Sequence, residues 1–287
     1  MLCALLAAAM AFTPADARLA RDTAAGLVVR HTPRDAGTIP GRLAANYILD
    51  AANATGMDAR LDRFSAQTPS GMRNFVNVEA RYVSDESAPW LVFVSHYDTK
   101  PGVDCPGAND GASTSGLLVA LANAIYDRRP KGINIICLWT DGEECQVAYG
   151  PDDGLWGARH AAAKYRREGL NVRAVICFDM LGDADLHITM PKNTTPGLRR
   201  AVLKLAKHLK LEDKVSESAE PLHDDHVPFI KEGFRAVDLI DFDYGGAKGE
   251  NLHWHTPADT MDKVSEESLL VAGRIAAGLI NGLSDGR

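Results

Sequence analysis

The order of apolar and polar positions divides most of the chain into alternating strands and helices. Four continuous apolar runs of strand length predict buried strands, because both faces of such a strand are covered. The segments between these runs have apolar residues at helical spacing, which predicts amphipathic helices. The predicted strands are 90–95, 133–139, 172–178 and 236–240, and the predicted helices are 113–126, 155–167, 196–211, 225–232 and 264–283. This alternation predicts a mixed, mostly parallel sheet with helices on both faces.

The chain before residue 90 has a different pattern. Residues 39–56 have helical spacing, whereas 58–65 and 73–82 alternate like half-buried strands. We expect these two strands to extend one edge of the sheet as antiparallel neighbours. The helix over 113–126 is expected to be capped by Ser113 or Thr114. No repeat or linker interrupts the pattern, so residues 18–287 are predicted to form one α/β catalytic domain, with its site at the carboxyl ends of the strands.

Residues 1–17 have features of a secretory signal peptide. An apolar run precedes Ala15-Asp16-Ala17, which matches the small-residue cleavage pattern, although no basic residue precedes the run. We therefore expect an exported protein, periplasmic or secreted. The alternative is a short buried helix at the N-terminus.

Composition limits the classes of partner. The chain has 287 residues, of which 46% are hydrophobic, as in ordinary globular proteins. A formal net charge of −7 argues against a nucleic-acid partner. No stretch reaches the roughly 20 apolar residues of a transmembrane helix. Five cysteines without a C-x-x-C pair argue against a thiolate zinc site. The oligomeric state stays open.

Two adjacent acids, Glu143 and Glu144, follow the predicted strand 133–139 in the stretch Thr140-Asp141-Gly142-Glu143-Glu144. Neighbouring carboxylates at a strand end repel each other and lose hydration. A cation would relieve both costs, and one Glu could then bind metal while the other carries protons. A solvated acidic turn is the alternative for this pair alone.

Other strands end in similar side chains. His96 and Asp98 follow the strand at 90–95, and Asp179 follows the strand at 172–178. Two loops add Asp110 and His255. Because the carboxyl ends of parallel strands meet at one edge, these groups are expected to converge. Imidazole and carboxylate without thiolate suit a catalytic zinc site with an open position.

The order of these motifs resembles the zinc-dependent aminopeptidase family with a phosphorylase/hydrolase-like α/β fold. The resemblance runs from about Asn74 to Leu283. It implies that Glu143 is the general base, that Asp98 orients His96, and that one carboxylate bridges two zinc ions in such enzymes. The metal positions that it implies are His96, Asp110, Glu144, Asp179 and His255, with Asp110 as the bridge.

Within that family, three stretches look closest to glutaminyl cyclases. They are the segment from Tyr149 to His160, the motif Asp224-Asp225-His226-Val227-Pro228-Phe229, and Trp254 before His255. Such cyclases hold one zinc ion through the positions that match Asp110, Glu144 and His255. The resemblance implies that Asp179 and Asp224 position Glu143 or the leaving group. It also implies that Trp254, Tyr149 and Asp225 contact the substrate.

Two enzymatic functions are compatible with these residues. A one-zinc cyclase would convert N-terminal Gln of peptides or proteins to pyroglutamate and release ammonia. A two-zinc aminopeptidase would hydrolyse the first peptide bond, and it would need His96 and Asp179 as ligands. A third, remote alternative is a non-catalytic binding protein on the same fold.

Overall fold

The computed structural model describes residues 10–247 and 249–284, and these form one sheet with helices on both faces. The strands are β1 (Asp58–Thr68), β2 (Gly71–Tyr82), β3 (Trp90–His96), β4 (Asn134–Thr140), β5 (Val172–Asp179), β6 (Ile188–Met190), β7 (Val215–Glu217) and β8 (Ala236–Ile240). The helices are α1 (Pro14–His31), α2 (Ile39–Ala54), α3 (Thr114–Arg128), α4 (Trp156–Arg167), α5 (Pro196–Leu209), α6 (His226–Lys231) and α7 (Glu266–Ser284).

The sheet has eight strands in the order β1-β2-β4-β3-β5-β8-β6-β7. The central strands β4, β3, β5 and β8 are parallel, and β2 runs antiparallel to β4. β1 and β2 form a long antiparallel hairpin at one edge, from the pair Asp58 and Arg81 to the pair Thr68 and Gly71. The predicted mixed, mostly parallel α/β architecture is confirmed.

Successive apolar side chains of the central strands point alternately into two separate hydrophobic cores, one on each face of the sheet. In β3, Leu91 and Phe93 join the core under α1, α2, α3 and α7, while Val92 and Val94 join the core under α4 and α6. Successive side chains of a strand point to opposite faces, so an unbroken apolar run is what a doubly covered strand requires. The rigid centre of the sheet therefore fixes the carboxyl ends of β3, β4, β5 and β8 relative to one another.

The N-terminal part of the structure contains a helix that begins within the last four residues of the expected leader. α1 begins at Pro14 and is capped by Thr13, whose hydroxyl accepts from the Asp16 amide. Met10, Phe12 and Ala17 are buried in the core. Residues 1–9 of the expected signal peptide lie outside the described residues, whereas residues 10–17 pack against the domain.

Two further features differ from the expectations. β6 and β7 contain three residues each, too few for a recognisable alternation. The expected side-chain cap of α3 is absent, because a π-helical turn, Ala108–Ser113, leads directly into the helix. The Ser113 hydroxyl instead donates to the carbonyl oxygen of Asn109 at 2.6 Å.

Candidate metal centre and active site

Five potential metal ligands converge at the carboxyl edge of the parallel strands. His96 and Asp179 are the last residues of β3 and β5, and Glu144 lies in the loop after β4. Asp110 lies in the π-helical turn before α3. His255 lies in the loop before α7 with a φ of 55°, a left-handed conformation that a residue with a Cβ adopts at a cost.

Asp110 stands between two possible metal positions. Its Oδ1 lies 3.1 Å from Nε2 of His96, and its Oδ2 lies 3.3 Å from Nε2 of His255. His96 Nε2 is also 3.3 Å from Asp179 Oδ1, and His255 Nε2 is 2.9 Å from Glu144 Oε1. The structure thus forms two groups of three ligands that share Asp110.

The chemistry of both groups fits a catalytic zinc ion. Each offers one imidazole and two carboxylates, and neither includes a cysteine of the described residues. Burial alone would lower the pKa of His255, but Asp110 and Glu144 raise it to about 9. Burial and the Asp110 charge likewise raise the pKa of Glu144. Such closely packed acids are costly to bury unless a cation or protons offset their charge.

Asp98 fixes the loop that carries the paired glutamates. Its Oδ1 accepts from the Glu143 amide and its Oδ2 from the Glu144 amide, both at 3.2 Å. The same carboxylate lies 3.6 Å from Nδ1 of His96, on the side of the imidazole away from Asp110. Asp98 is fully buried, so it can position both the glutamates and the histidine ring.

Two buried charged side chains, Arg34 and Asp259, hold the turn that carries Asp110. The fully buried Arg34 side chain donates to the carbonyl oxygens of Pro106 at 2.7 Å and of Asp110 at 3.4 Å. Asp259 accepts from the amides of Asn109 at 2.7 Å and Asp110 at 3.2 Å. These residues were not recognised from the sequence. Their side chains bind backbone groups of a distant loop, which spacing along the chain does not show.

Glu143 faces a small cavity next to the ligand groups. The cavity has a volume of about 120 Å³. Burial and the neighbouring Glu144 charge raise the pKa of Glu143 well above its usual range, and Asp224 contributes in the same direction. The cavity is lined by Asp110, Glu143, Glu144, Tyr149, Asp179, Leu222, His223, Asp224, Ile240, Phe242 and Trp254. A carboxyl with a raised pKa in such a site can both accept and deliver a proton.

The three other acids that were expected at the site differ in placement. Asp179 and Asp224 line the cavity, and burial raises the pKa of Asp179 to about 7. Asp225 is not among the lining residues. Its carboxylate accepts from the hydroxyl of Thr140, at the end of β4. This contact gives Asp225 a role in joining α6 to the sheet.

Aromatic side chains form the walls that were expected at Tyr149 and Trp254. The Trp254 ring stacks on His255 with centroids 3.9 Å apart and meets Phe242 edge-on at 5.0 Å. Tyr149 meets the imidazole of His223 edge-on at 6.0 Å. Phe242 and His223 were missed from the sequence, because Phe242 lies among acids at the end of β8 and His223 precedes the motif that begins at Asp224.

Similarity to known proteins extends over most of the chain. Residues 77–280 match peptidase family M28. The glutaminyl-peptide cyclotransferase of Drosophila melanogaster is 27% identical over 277 residues, 85% of this chain and 76% of the relative. A glutaminyl cyclase structure from an Acidobacteriales bacterium is 30% identical, covers 100% of both chains and has a TM-score of 0.89. A leucine aminopeptidase precursor from Bacteroides thetaiotaomicron, 22% identical with a TM-score of 0.83 and coverage of 94% and 97%, shares the fold.

Proposed function

Because this chain belongs to peptidase family M28, and its relatives include glutaminyl-peptide cyclotransferases, we propose that it cyclises N-terminal glutamine. The substrate is a peptide or protein N-terminus, and the products are pyroglutamate and ammonia. The proposal rests mainly on one observation: Glu143 lines a small cavity together with Asp179 and Asp224, beside the candidate metal ligands. An acid in these surroundings suits the proton transfers that release ammonia.

Glu143 moves the proton in this reaction. The α-amine attacks the side-chain amide carbon, and Glu143 accepts a proton from that amine. Glu143 then gives the proton to the amide nitrogen as the carbon–nitrogen bond breaks and ammonia leaves. Asp179 and Asp224 hold Glu143 and the leaving nitrogen in line. Asp110, Glu144 and His255 would hold a zinc ion, which would polarise the amide carbonyl and stabilise the negative charge that develops on its oxygen.

The walls of the cavity suit a single small side chain. Leu222, Ile240, Phe242 and Trp254 provide apolar surface around the acids. A volume of about 120 Å³ leaves little space for water beside a glutamine side chain. Exclusion of water favours attack by the substrate's own amine over hydrolysis.

The aminopeptidase alternative rests on the placement of Asp110. Its two carboxylate oxygens face two different histidines, as a bridging ligand between two metal ions requires. His96 and Asp179 would then complete the second position. Hydrolysis through a metal pair would make Glu143 the activator of water rather than the carrier of an amine proton.

One assay on zinc-loaded protein separates these functions. A peptide that begins with Gln is followed for ammonia, a peptide that begins with Leu is followed for free Leu, and zinc is counted per chain. Ammonia without free Leu at one zinc ion supports the cyclase. Free Leu at two zinc ions supports the aminopeptidase, and tightly bound zinc without turnover of either peptide supports a binding protein.

We also propose export, on the basis of the N-terminal sequence. None of the described helices combines the length and apolar character of a membrane span. Cleavage after Ala17 would remove Thr13, which caps α1, together with the buried Met10 and Phe12. N-terminal sequencing of the protein from the culture medium or periplasm tests export and locates the cleavage, if any, relative to α1.

A further inference from the structure

The phenol of Tyr244 connects two loops that carry candidate metal ligands. Tyr244 lies in the loop after β8 and is fully buried, and its hydroxyl donates to Oδ1 of Asp259 at 2.7 Å. Asp259 is also fully buried, and its carboxylate accepts from the amides of Asn109 and Asp110. A continuous chain of hydrogen bonds therefore runs from the phenol to the backbone of Asp110.

Tyr244 also holds the loop that carries His255. The carbonyl oxygen of Tyr244 accepts from the His253 amide at 3.1 Å, and the two rings meet edge-on with their centroids 5.2 Å apart. Next to the tyrosine, Gly245 has a φ of 79°, and a Cβ at this position would lie 2.2 Å from the His253 ring. The loop is thus folded tightly back onto the tyrosine. His255 follows shortly after His253, so a displaced Tyr244 ring would move it as well.

Two ligands from separate loops must keep a fixed separation if they hold one ion. Oδ2 of Asp110 lies 3.3 Å from Nε2 of His255. His255 belongs to neither a helix nor a strand, so its position depends on the contacts of its loop. Zinc–ligand bonds of about 2.0–2.2 Å tolerate errors of only about 0.2 Å. A residue that ties the two loops together therefore influences metal affinity.

We propose that Tyr244 is a positioning residue for the metal centre: its hydroxyl, acting through Asp259, sets the distance between Asp110 and His255. This inference rests on the proposed zinc site but not on cyclisation, because both enzymatic alternatives use these two ligands. Tyr244 is not among the residues that line the cavity beside Glu143, so it acts through other residues rather than on the substrate.

Two matched tyrosine variants separate positioning from stability. The Tyr165 hydroxyl donates to Oε2 of Glu79 at 2.6 Å, between α4 and β2, and both residues are buried, as Tyr244 and Asp259 are. Each substitution by Phe removes one donor from a buried carboxylate, so both variants should lower the urea midpoint of the zinc-free protein. Only Tyr244→Phe should weaken zinc binding, by roughly 10-fold in a chelator competition. Unchanged zinc affinity in Tyr244→Phe, or an equal loss in Tyr165→Phe, would overturn the proposal.

A double-mutant cycle shows whether Tyr244 acts through Asp259. Asp259→Ala removes both oxygens that join the phenol to the backbone of Asp110. Tyr244→Phe should therefore change zinc affinity by less than roughly threefold in the Asp259→Ala background, measured against chelators of graded strength. A full 10-fold loss in that background would contradict the proposed coupling.

Cobalt(II) in place of zinc keeps this inference separate from the proposed function. Its visible absorption depends on the positions of the ligands around the ion. Cobalt-loaded wild type and Tyr165→Phe should have the same spectrum, whereas the bands of Tyr244→Phe should differ. That difference is expected even if wild type releases no ammonia from Gln peptides, an outcome that would reject only the cyclase. Identical spectra for all three proteins would reject the role of Tyr244, whatever the activity.

Discussion

The hydroxyl of Tyr149 lies 2.9 Å from Oε2 of Glu144. It also lies 3.1 Å from Oε2 of Glu143, so a single phenol sits between the two adjacent carboxylates. One of these contacts can be a donated hydrogen bond at any moment. The phenol therefore offsets part of the repulsion within the pair and fixes the direction in which both side chains point.

Removal of this hydroxyl should lower kcat more than it changes substrate binding. In Tyr149→Phe we expect a kcat loss of roughly 10-fold, equivalent to one lost hydrogen bond to a charged group, with an intact aromatic wall. Tyr82→Phe is the control, because the Tyr82 hydroxyl binds the carbonyl of Pro130 away from the site. Steady-state kinetics on a Gln peptide provides the measurement. A pure KM effect in Tyr149→Phe would show that the tyrosine contacts substrate only.

The two adjacent glutamates should respond differently to substitution. Glu143→Gln removes the proton carrier and should lower kcat by roughly 100-fold or more while zinc stays bound. Glu144→Gln removes a ligand and should lose zinc at moderate chelator concentrations. Zinc content after dialysis, measured together with turnover, distinguishes the two. Retained turnover in Glu143→Gln would exclude it as the proton carrier.

Arg34 should stabilise both the fold and the metal site. Its guanidinium is fully buried and hydrogen-bonds to backbone carbonyls of the turn that carries Asp110. In Arg34→Met these carbonyls lose their donors, and we expect about 3 kcal/mol lower free energy of unfolding together with weaker zinc binding. Arg42→Met, which removes one 3.4 Å contact to Gly37, is the control and should change the free energy of unfolding by less than about 0.5 kcal/mol. Urea unfolding and a zinc titration give both quantities.

His226 should make the protein sensitive to mild acid. Burial lowers its pKa from 6.5 to about 4 in the folded chain. Between these values the unfolded chain binds a proton that the folded chain does not, so stability is full above pH 6.5 and falls as the pH approaches 4. Between pH 7.5 and 4.5 the free energy of unfolding, measured with urea, should fall by about 2–3 kcal/mol more in wild type than in His226→Gln. If the free energy of unfolding falls equally in both proteins, His226 is not the cause of the acid sensitivity.

The strands and the strand-end candidate ligands were predictable because the sequence signal for each is local. A continuous apolar run such as the one before Thr140 identifies a strand buried on both faces, and β8 begins and ends at the predicted residues. Parallel strands also place their carboxyl ends together, so His96 and Asp179 could be assigned to one edge without a structure. Topology therefore predicted that acids and histidines converge at this edge, whereas the set of five candidate ligands came from the family resemblance.

Supporting residues were not predictable, because their partners are distant backbone groups. Arg34 contacts Asp110, and Asp259 contacts Asn109, across long sequence separations. Only residues 14–17 of α1 fell within the predicted leader, and the rest of this helix was not predicted because its buried alanines form no strong apolar stripe. Asp225 was expected at the substrate, yet its carboxylate points toward Thr140. Adjacent residues at a helix start point in different directions, and the sequence does not show which one enters a cavity.

The most direct test of cyclisation follows the nucleophile with isotopically labelled water. A Gln peptide is converted by the zinc-loaded protein in H₂¹⁸O, and the product is analysed by mass spectrometry. Attack by the α-amine predicts a product that has lost ammonia and contains no ¹⁸O. Incorporation of ¹⁸O into a new carboxylate, whether in a side-chain Glu or in a released amino acid, would show that water is the nucleophile and would contradict the cyclase.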